Sequence, residues 1–160
     1  MFRVALHEPE IAANAGAIGR LCLAAGCSLE IVGQPGFRLD DRSARRAGLD
    51  YWPLVPLARR DSLAELEASA PRLWVFTTRG TLLHTAPRYG AGDVLVFGSE
   101  SKGLPDTFLA RHPERLVRVP ILGEAVRSLN LAQAVAIAVY EGLRQNLGWG
   151  LKDEAPPADD

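Results

Sequence analysis

The sequence predicts an α/β fold built on a mainly parallel sheet with helices on both faces, and three observations predict it. Short runs rich in Val, Leu and Phe recur along the chain and are mostly apolar on both faces, as parallel strands covered by helices are. Amphipathic helical patterns lie between those runs. The chain has 160 residues, 48% of them hydrophobic and 23% charged, enough to bury a core of its own as one domain.

The first run, 2–7, "FRVALH", breaks at His7–Glu8–Pro9, so it reads as a first strand and not as a signal peptide. A helix follows, in which Ile18, Leu21, Cys22 and Ala25 repeat at i, i+3, i+4 and i+7. Asn14, a favoured N-cap residue, is placed at its start. Further strands are predicted over 28–32, 72–78, 93–97 and 115–119, with helices over 40–47 and 61–69. The last helix spans roughly 130–146, where Leu131, Ala134, Val135, Ala138 and Val139 form one stripe. Asn130, with Gln133 three residues on, has the pattern of a capping box. Residues 1–150 are expected to form a single domain, and 151–160, "LKDEAPPADD", an acidic disordered tail. No apolar run reaches the roughly 18 residues of a membrane helix.

Net charge is −1, but the tail carries four of the acidic residues, so residues 1–150 hold 17 basic against 15 acidic side chains. Sixteen of the 18 basic residues are Arg, the side chain suited to bidentate phosphate contact. This balance permits a nucleic-acid partner without demanding one. Cys22 and Cys27 lack companion ligands for a zinc site and read as small buried hydrophobes in a reducing compartment, the cytoplasm.

In open parallel sheets, ligands bind beyond the carboxyl ends of the strands. Three irregular segments are predicted to meet there: Asn14–Arg20 after the first strand, Gly98–Gly103 after the 93–97 strand, and the 120–130 loop. "NAGAIGR" (14–20) lacks the first glycine of a dinucleotide fingerprint. "GSESKGLP" (98–105) keeps two glycines of a phosphate loop, but Leu104–Pro105 stand where Lys and Ser/Thr would be required. His7, His84 and His112 have no metal spacing, and no nucleophile elbow occurs. Chemistry on such a scaffold must rest on positioning and electrostatics, with reactivity borrowed from a cofactor.

Taken together and in this order, "HEPEIAANAGAIGRLC" (7–22), "RRAGLDYW" (45–52), "FTTRG" (76–80), "FGSESKGLP" (97–105) and "RSLNLAQAVAIAVYE" (127–141) resemble the SPOUT class of S-adenosylmethionine-dependent RNA methyltransferases. The match is to the minimal family that acts on the ribose of tRNA wobble position 34. The resemblance implies a C-terminal deep trefoil knot, a homodimer, S-adenosylmethionine as cofactor with S-adenosylhomocysteine as product, no metal and no membrane contact. It implies catalytic roles for Arg20, Asn14 and Tyr140. It implies cofactor contacts at Phe76, Gly98, Glu100, Gly103, Val119, Ile121, Ser128, Leu129 and Asn130. Arg42, Arg45, Arg46 and Arg79 become candidate RNA phosphate contacts.

The stretch from Pro120 to Ser128 is about one residue longer than the family's usual loop, and Ala132–Gln133 replace a commoner Ser–Asn. Three alternatives remain at this level: the same chemistry at another tRNA or rRNA position, a non-catalytic RNA-binding member of the class, and a dinucleotide-dependent oxidoreductase.

Overall fold

The computed structural model describes residues 1–38 and 50–147. In chain order the elements are β1 (Arg3–His7), α1 (Ala12–Ala25), β2 (Ser28–Val32), a 3-10 turn (Trp52–Leu54), β3 (Leu57–Arg60) and α2 (Leu63–Ser69). Then come β4 (Leu73–Phe76), β5 (Leu82–Leu83), β6 (Val94–Phe97), α3 (Asp106–Arg111), a second 3-10 turn (Pro113–Arg115), β7 (Leu116–Arg118) and α4 (Leu131–Asn146). The strands pair in the order β3-β2-β1-β6-β4-β7-β5, and every pairing is parallel.

The α/β expectation is met, with additions. β3 ("LARR"), β5 (two residues) and α3 (six residues) were not foreseen, because edge strands that polar or that short, and a helix under two turns, carry no usable period. The predicted 72–78 strand ends at Phe76, since Thr77 turns away into the crossing described below. The predicted helix over 40–47 lies outside the described residues.

Alternation along the strands splits the core into two layers. Val4 and Leu6 of β1, Leu29 and Ile31 of β2, and Leu95 and Phe97 of β6 pack with α1 and α4. Ala5, Val32, Val75, Val94 and Val96 face the other way, toward α2 and α3. On the first side Ile18 and Cys22 of α1, and Val135, Ala138 and Val139 of α4, are fully buried. Each large aliphatic there contributes about 1.5–3 kcal/mol by leaving water. Burial pushes the Cys22 thiol up to about 12, so this cysteine serves as a packed hydrophobe.

One connection is unusual. β7 lies between β4 and β5, so the chain from Phe76 to Leu82 must pass from one side of β7 to the other. It does so at Gly80, where an added Cβ would stand 2.4 Å from the Val117 carbonyl carbon and 2.6 Å from the Arg118 nitrogen. Only glycine permits backbone to cross backbone this closely. Thr77 N–H donates to Val117 O at 2.9 Å and His84 N–H to Arg118 O at 2.9 Å, clamping the crossing on both sides.

The face of the sheet toward α2 holds a buried charge midway along β2. Glu30, 3% exposed on β2, accepts from Arg3 Nε of β1 and from Arg60 Nε of β3 at 2.9 Å. Arg3 also donates to Ser69 at the end of α2. Burial pushes the Glu30 carboxyl up, but the two guanidinium groups outweigh it and hold the pKa below the usual carboxylate value. Glu30→Ala is expected to cost about 3 kcal/mol of unfolding free energy, because it strands two arginines aimed at a buried site. In wild type this stabilisation is complete above the unfolded glutamate pKa of about 4.3 and is lost as pH falls through the lower folded value. Denaturant unfolding between pH 3 and pH 7 is expected to show an acid-side slope to which Glu30 contributes alongside Glu67, Glu100 and Glu141, and Glu30→Gln should reduce it.

Candidate active site

A cavity of about 740 Å³ opens at the carboxyl ends of β6, β4 and β7, where sheet topology predicts a ligand. Its size lies within the range of small-molecule and cofactor pockets. Phe76 and Phe97 end adjacent strands and line it, with ring centroids 4.7 Å apart and nearly parallel planes. Val119, Ile121, Leu129 and Leu131 supply further apolar lining from the 119–130 loop and the start of α4, and Ser128 adds a hydroxyl.

The loop after β6 forms one wall. Gly103 N–H donates to Ser99 O at 2.9 Å and Ser99 N–H to Gly103 O at 3.3 Å, closing residues 99–103 on themselves. A Cβ on Gly98 would lie 2.1 Å from the Gly103 carbonyl carbon, and Gly103 itself sits at φ +70°. Both glycines are thus demanded by the loop's own closure, before any ligand is considered.

Five polar side chains tie this loop to the two others. Glu100 accepts from Asn14 Nδ2 and from the Glu10 backbone N–H, each at 2.8 Å. Asn14 Oδ1 accepts from Asn130 Nδ2 at 2.9 Å, and Asn130 Oδ1 caps α4 by accepting from Ala132 N–H at 2.9 Å. In the reverse direction, Ser101 N–H and hydroxyl both donate to Glu10.

Asn14 is therefore not the N-cap of α1, as its residue type suggested. Ile11 holds that position without a side-chain bond, and Asn14 is the third residue of the helix, buried. The acceptor for the helix entry is Glu100, 86 residues away, and a carboxylate there also suits the positive end of the helix dipole. Burial pushes the Glu100 carboxyl up, but bonds from Asn14 and from the Glu10 and Ile11 amides outweigh it and keep its pKa below the ordinary value. An ionised carboxylate with its lone pairs so engaged is a fixed acceptor and a poor proton base.

The three predicted segments do converge here. Asn14, Phe76, Gly98, Glu100, Gly103, Val119, Ile121, Ser128, Leu129 and Asn130 all line the cavity. Arg79 lines it too, with its guanidinium ion-paired to Asp106. Arg20 and Tyr140 do not. Arg20 follows Asn14 by six residues, about 240° around the helix and 9 Å along it. It is exposed, with its guanidinium 5.7 Å from the Tyr51 ring centroid. Tyr140 is 47% exposed on α4. Arg42, Arg45 and Arg46 lie outside the described residues. Sequence reading assigned no role to Glu10, Phe97, Lys102 or Arg127. Arg127 was visible beside Ser128, whereas Glu10 is recognisable only through its partner 91 residues away.

Gly98→Ala is expected to force the 99–103 loop open, at an overpacking cost of about 1–3 kcal/mol. Titration calorimetry should then find affinity for S-adenosylmethionine, the cofactor the resemblance implies, reduced about tenfold or more. Unchanged affinity would mean that the loop tolerates the extra methyl group.

Comparison with known proteins agrees with this geometry. Over 148 residues the chain is 45% identical to the tRNA (cytidine(34)-2'-O)-methyltransferase of Escherichia coli strain K12, an alignment covering 91% of this chain and 94% of that one. Identity to the protein of the same name from Burkholderia ambifaria is 44% over 150 residues, covering 91% and 96%. A solved structure described as giving insight into 2-OH methylation of C/U34 on tRNA superposes with a TM-score of 0.85 at 43% identity, covering 92% of this chain and 97% of the other. The SpoU methyltransferase AviRb of Streptomyces viridochromogenes, solved with AdoMet, gives a TM-score of 0.75 at 25% identity, covering 91% of this chain and 60% of its own. Residues 1–140 match the family description itself, and with the fold and cavity in agreement the chain belongs to the SpoU rRNA Methylase family.

Proposed function

We propose that this protein transfers a methyl group from S-adenosylmethionine to the ribose 2′-hydroxyl of the wobble nucleotide, position 34, of tRNA. The observation that carries the reading is the meeting of Asn14, the Gly98–Gly103 loop and the 119–130 loop on one cavity, in a chain 45% identical to an enzyme of that name along nearly its whole length. The two rival RNA readings, another position or no turnover, have no comparable support.

The cavity suits the cofactor in volume and in lining, with two aromatic rings and several aliphatic side chains for the adenosyl part and loop backbone around it. Phe76, Gly98, Val119, Ile121, Ser128 and Leu129 are the residues that would hold it. When bound, S-adenosylmethionine would supply a methyl group on a sulfonium, already activated toward an attacking oxygen, and its transfer would leave S-adenosylhomocysteine and release the hydroxyl proton to water. The protein's work is then alignment and charge. The Glu100–Asn14–Asn130 chain keeps the three loops in register, so that the acceptor oxygen meets a pocket of fixed shape. An arginine beside that oxygen would lower the cost of its developing negative charge.

Arg20 is that arginine, supplied by a second copy of the chain. It stands on the exposed side of α1, outside the cavity of its own subunit. The neighbouring helix α4 presents Ile137 and Tyr140 to solvent, 36% and 47% exposed. An isologous pairing of these helices would bury the apolar side chains and carry Arg20 and Tyr140 toward the partner's cavity. The backbone crossing at Gly80 reads as one pass of the trefoil knot. No helix among the described residues is long and apolar enough to cross a membrane, and a tRNA substrate sets the cytoplasm as the place of action.

Labelled methyl transfer to tRNA lacking wobble ribose methylation, followed by nucleoside mapping, is expected to place the label on a 2′-O-methylated nucleotide at position 34. Label elsewhere would keep the chemistry and change the substrate. At a cofactor concentration that saturates wild type but lies well below the Gly98→Ala dissociation constant, Arg20→Ala and Gly98→Ala should each be nearly inactive alone. Their 1:1 mixed dimers should recover roughly a quarter of wild-type activity, since half the dimers carry one intact composite site. No recovery on mixing would put Arg20 in its own subunit's site.

A further inference from the structure

We propose that Arg127, assisted by Lys102, seats the RNA phosphate next to the ribose being methylated. The inference rests on the reaction proposed above. Ribose carries its 2′-oxygen and its 3′-phosphate on adjacent carbons, so a 2′-hydroxyl cannot reach the cavity without bringing a phosphate to the mouth. Three cations line that cavity: Arg79, Lys102 and Arg127. Arg79 is engaged by Asp106, and the one acidic side chain among the lining residues, Glu100, is engaged by Asn14 and the Glu10 amide. Among the described residues, neither the Arg127 guanidinium nor the Lys102 ammonium has a hydrogen-bond or ion-pair partner. The two stand on different walls, Lys102 in the loop after β6 and Arg127 in the loop before α4.

Both side chains are exposed, so they meet a group arriving from solvent and lose little hydration while waiting for it. Arg127 is nevertheless well placed. Three residues on, Asn130 is bonded both to Asn14 and to the start of α4, which fixes the backbone that presents the guanidinium. A guanidinium offers two parallel N–H donors to one phosphate, and lysine adds a point charge. The rival anion is the cofactor's own carboxylate, and the two sources separate by measurement.

The test uses the full chain with Arg127→Gln, Arg127→Lys and Lys102→Gln, reading tRNA affinity by filter binding and S-adenosylmethionine affinity by calorimetry. Arg127→Gln is expected to weaken tRNA binding about tenfold, Lys102→Gln by a smaller factor, and Arg127→Lys to fall between Arg127→Gln and wild type. The slope of log affinity against log salt should fall by about one for each cation removed, with cofactor affinity unchanged. Loss of cofactor affinity in step with tRNA affinity would assign Arg127 to the cofactor carboxylate and overturn the proposal. Wild-type tRNA affinity and salt slope in both Gln variants would overturn it as well. Failure of the reaction itself would look different: wild type would transfer no methyl group to tRNA, whatever the variants bind.

Discussion

The Glu100 carboxylate is the constraint on which the site depends. It lies in the loop after β6, yet its acceptors serve the entry of α1 through the Glu10 amide and Asn14. Asn14 passes the connection to Asn130, and Asn130 to the first turn of α4. Three segments far apart in sequence thus share one chain of hydrogen bonds, in which Glu100 accepts twice and each asparagine donates once and accepts once. Such a chain has little freedom to be partly right. Rotating the Asn14 amide would break both of its bonds and leave a buried group facing like atoms, which costs more than the net worth of a single bond.

This arrangement also separates roles within the cavity. Glu100 looks at first like a catalytic base, but its hydrogen bonds stabilise the ionised form and occupy it. The polar network is scaffold. The reactive surface is left to the Phe76 and Phe97 rings, the glycine-closed loop and the cations at the mouth. A site that positions rather than transfers protons suits a reaction in which the departing group is activated before it arrives.

The sheet accounts for the place of the site. With every strand parallel, all carboxyl ends point one way, and the loops leaving β1, β4, β6 and β7 have nowhere else to meet. The structural charges lie elsewhere: Glu30, midway along β2, binds β1 and β3 on the α2 face, and Asp93, just before β6, accepts from Arg72 and Trp74. None of these charged groups lines the cavity. Arg20 and Tyr140 do not line the cavity of their own chain, and only the pairing proposed above would bring them to one.

Local chemistry by itself determined much of this protein. Val-, Leu- and Phe-rich runs announced β1, β2, β4, β6 and β7, because burial on both faces leaves no alternative to apolar residues. The 3.6-residue stripes of α1 and α4 were equally plain, whereas ten of the residues that line the cavity were implied only by the resemblance to a known family. Tertiary structure decided the rest. Asn14 suits a helix cap in any sequence window, and only the arrival of Glu100 from 86 residues away turned it into a bridge instead. Gly98 stood out as a glycine and Gly80 only closed the motif "FTTRG", but what both avoid is backbone from elsewhere in the fold, at Gly103 and at Val117–Arg118. Propensity and period are properties of neighbours along the chain. Closure of a loop, passage of one strand over another and the engagement of a carboxylate are properties of neighbours in space.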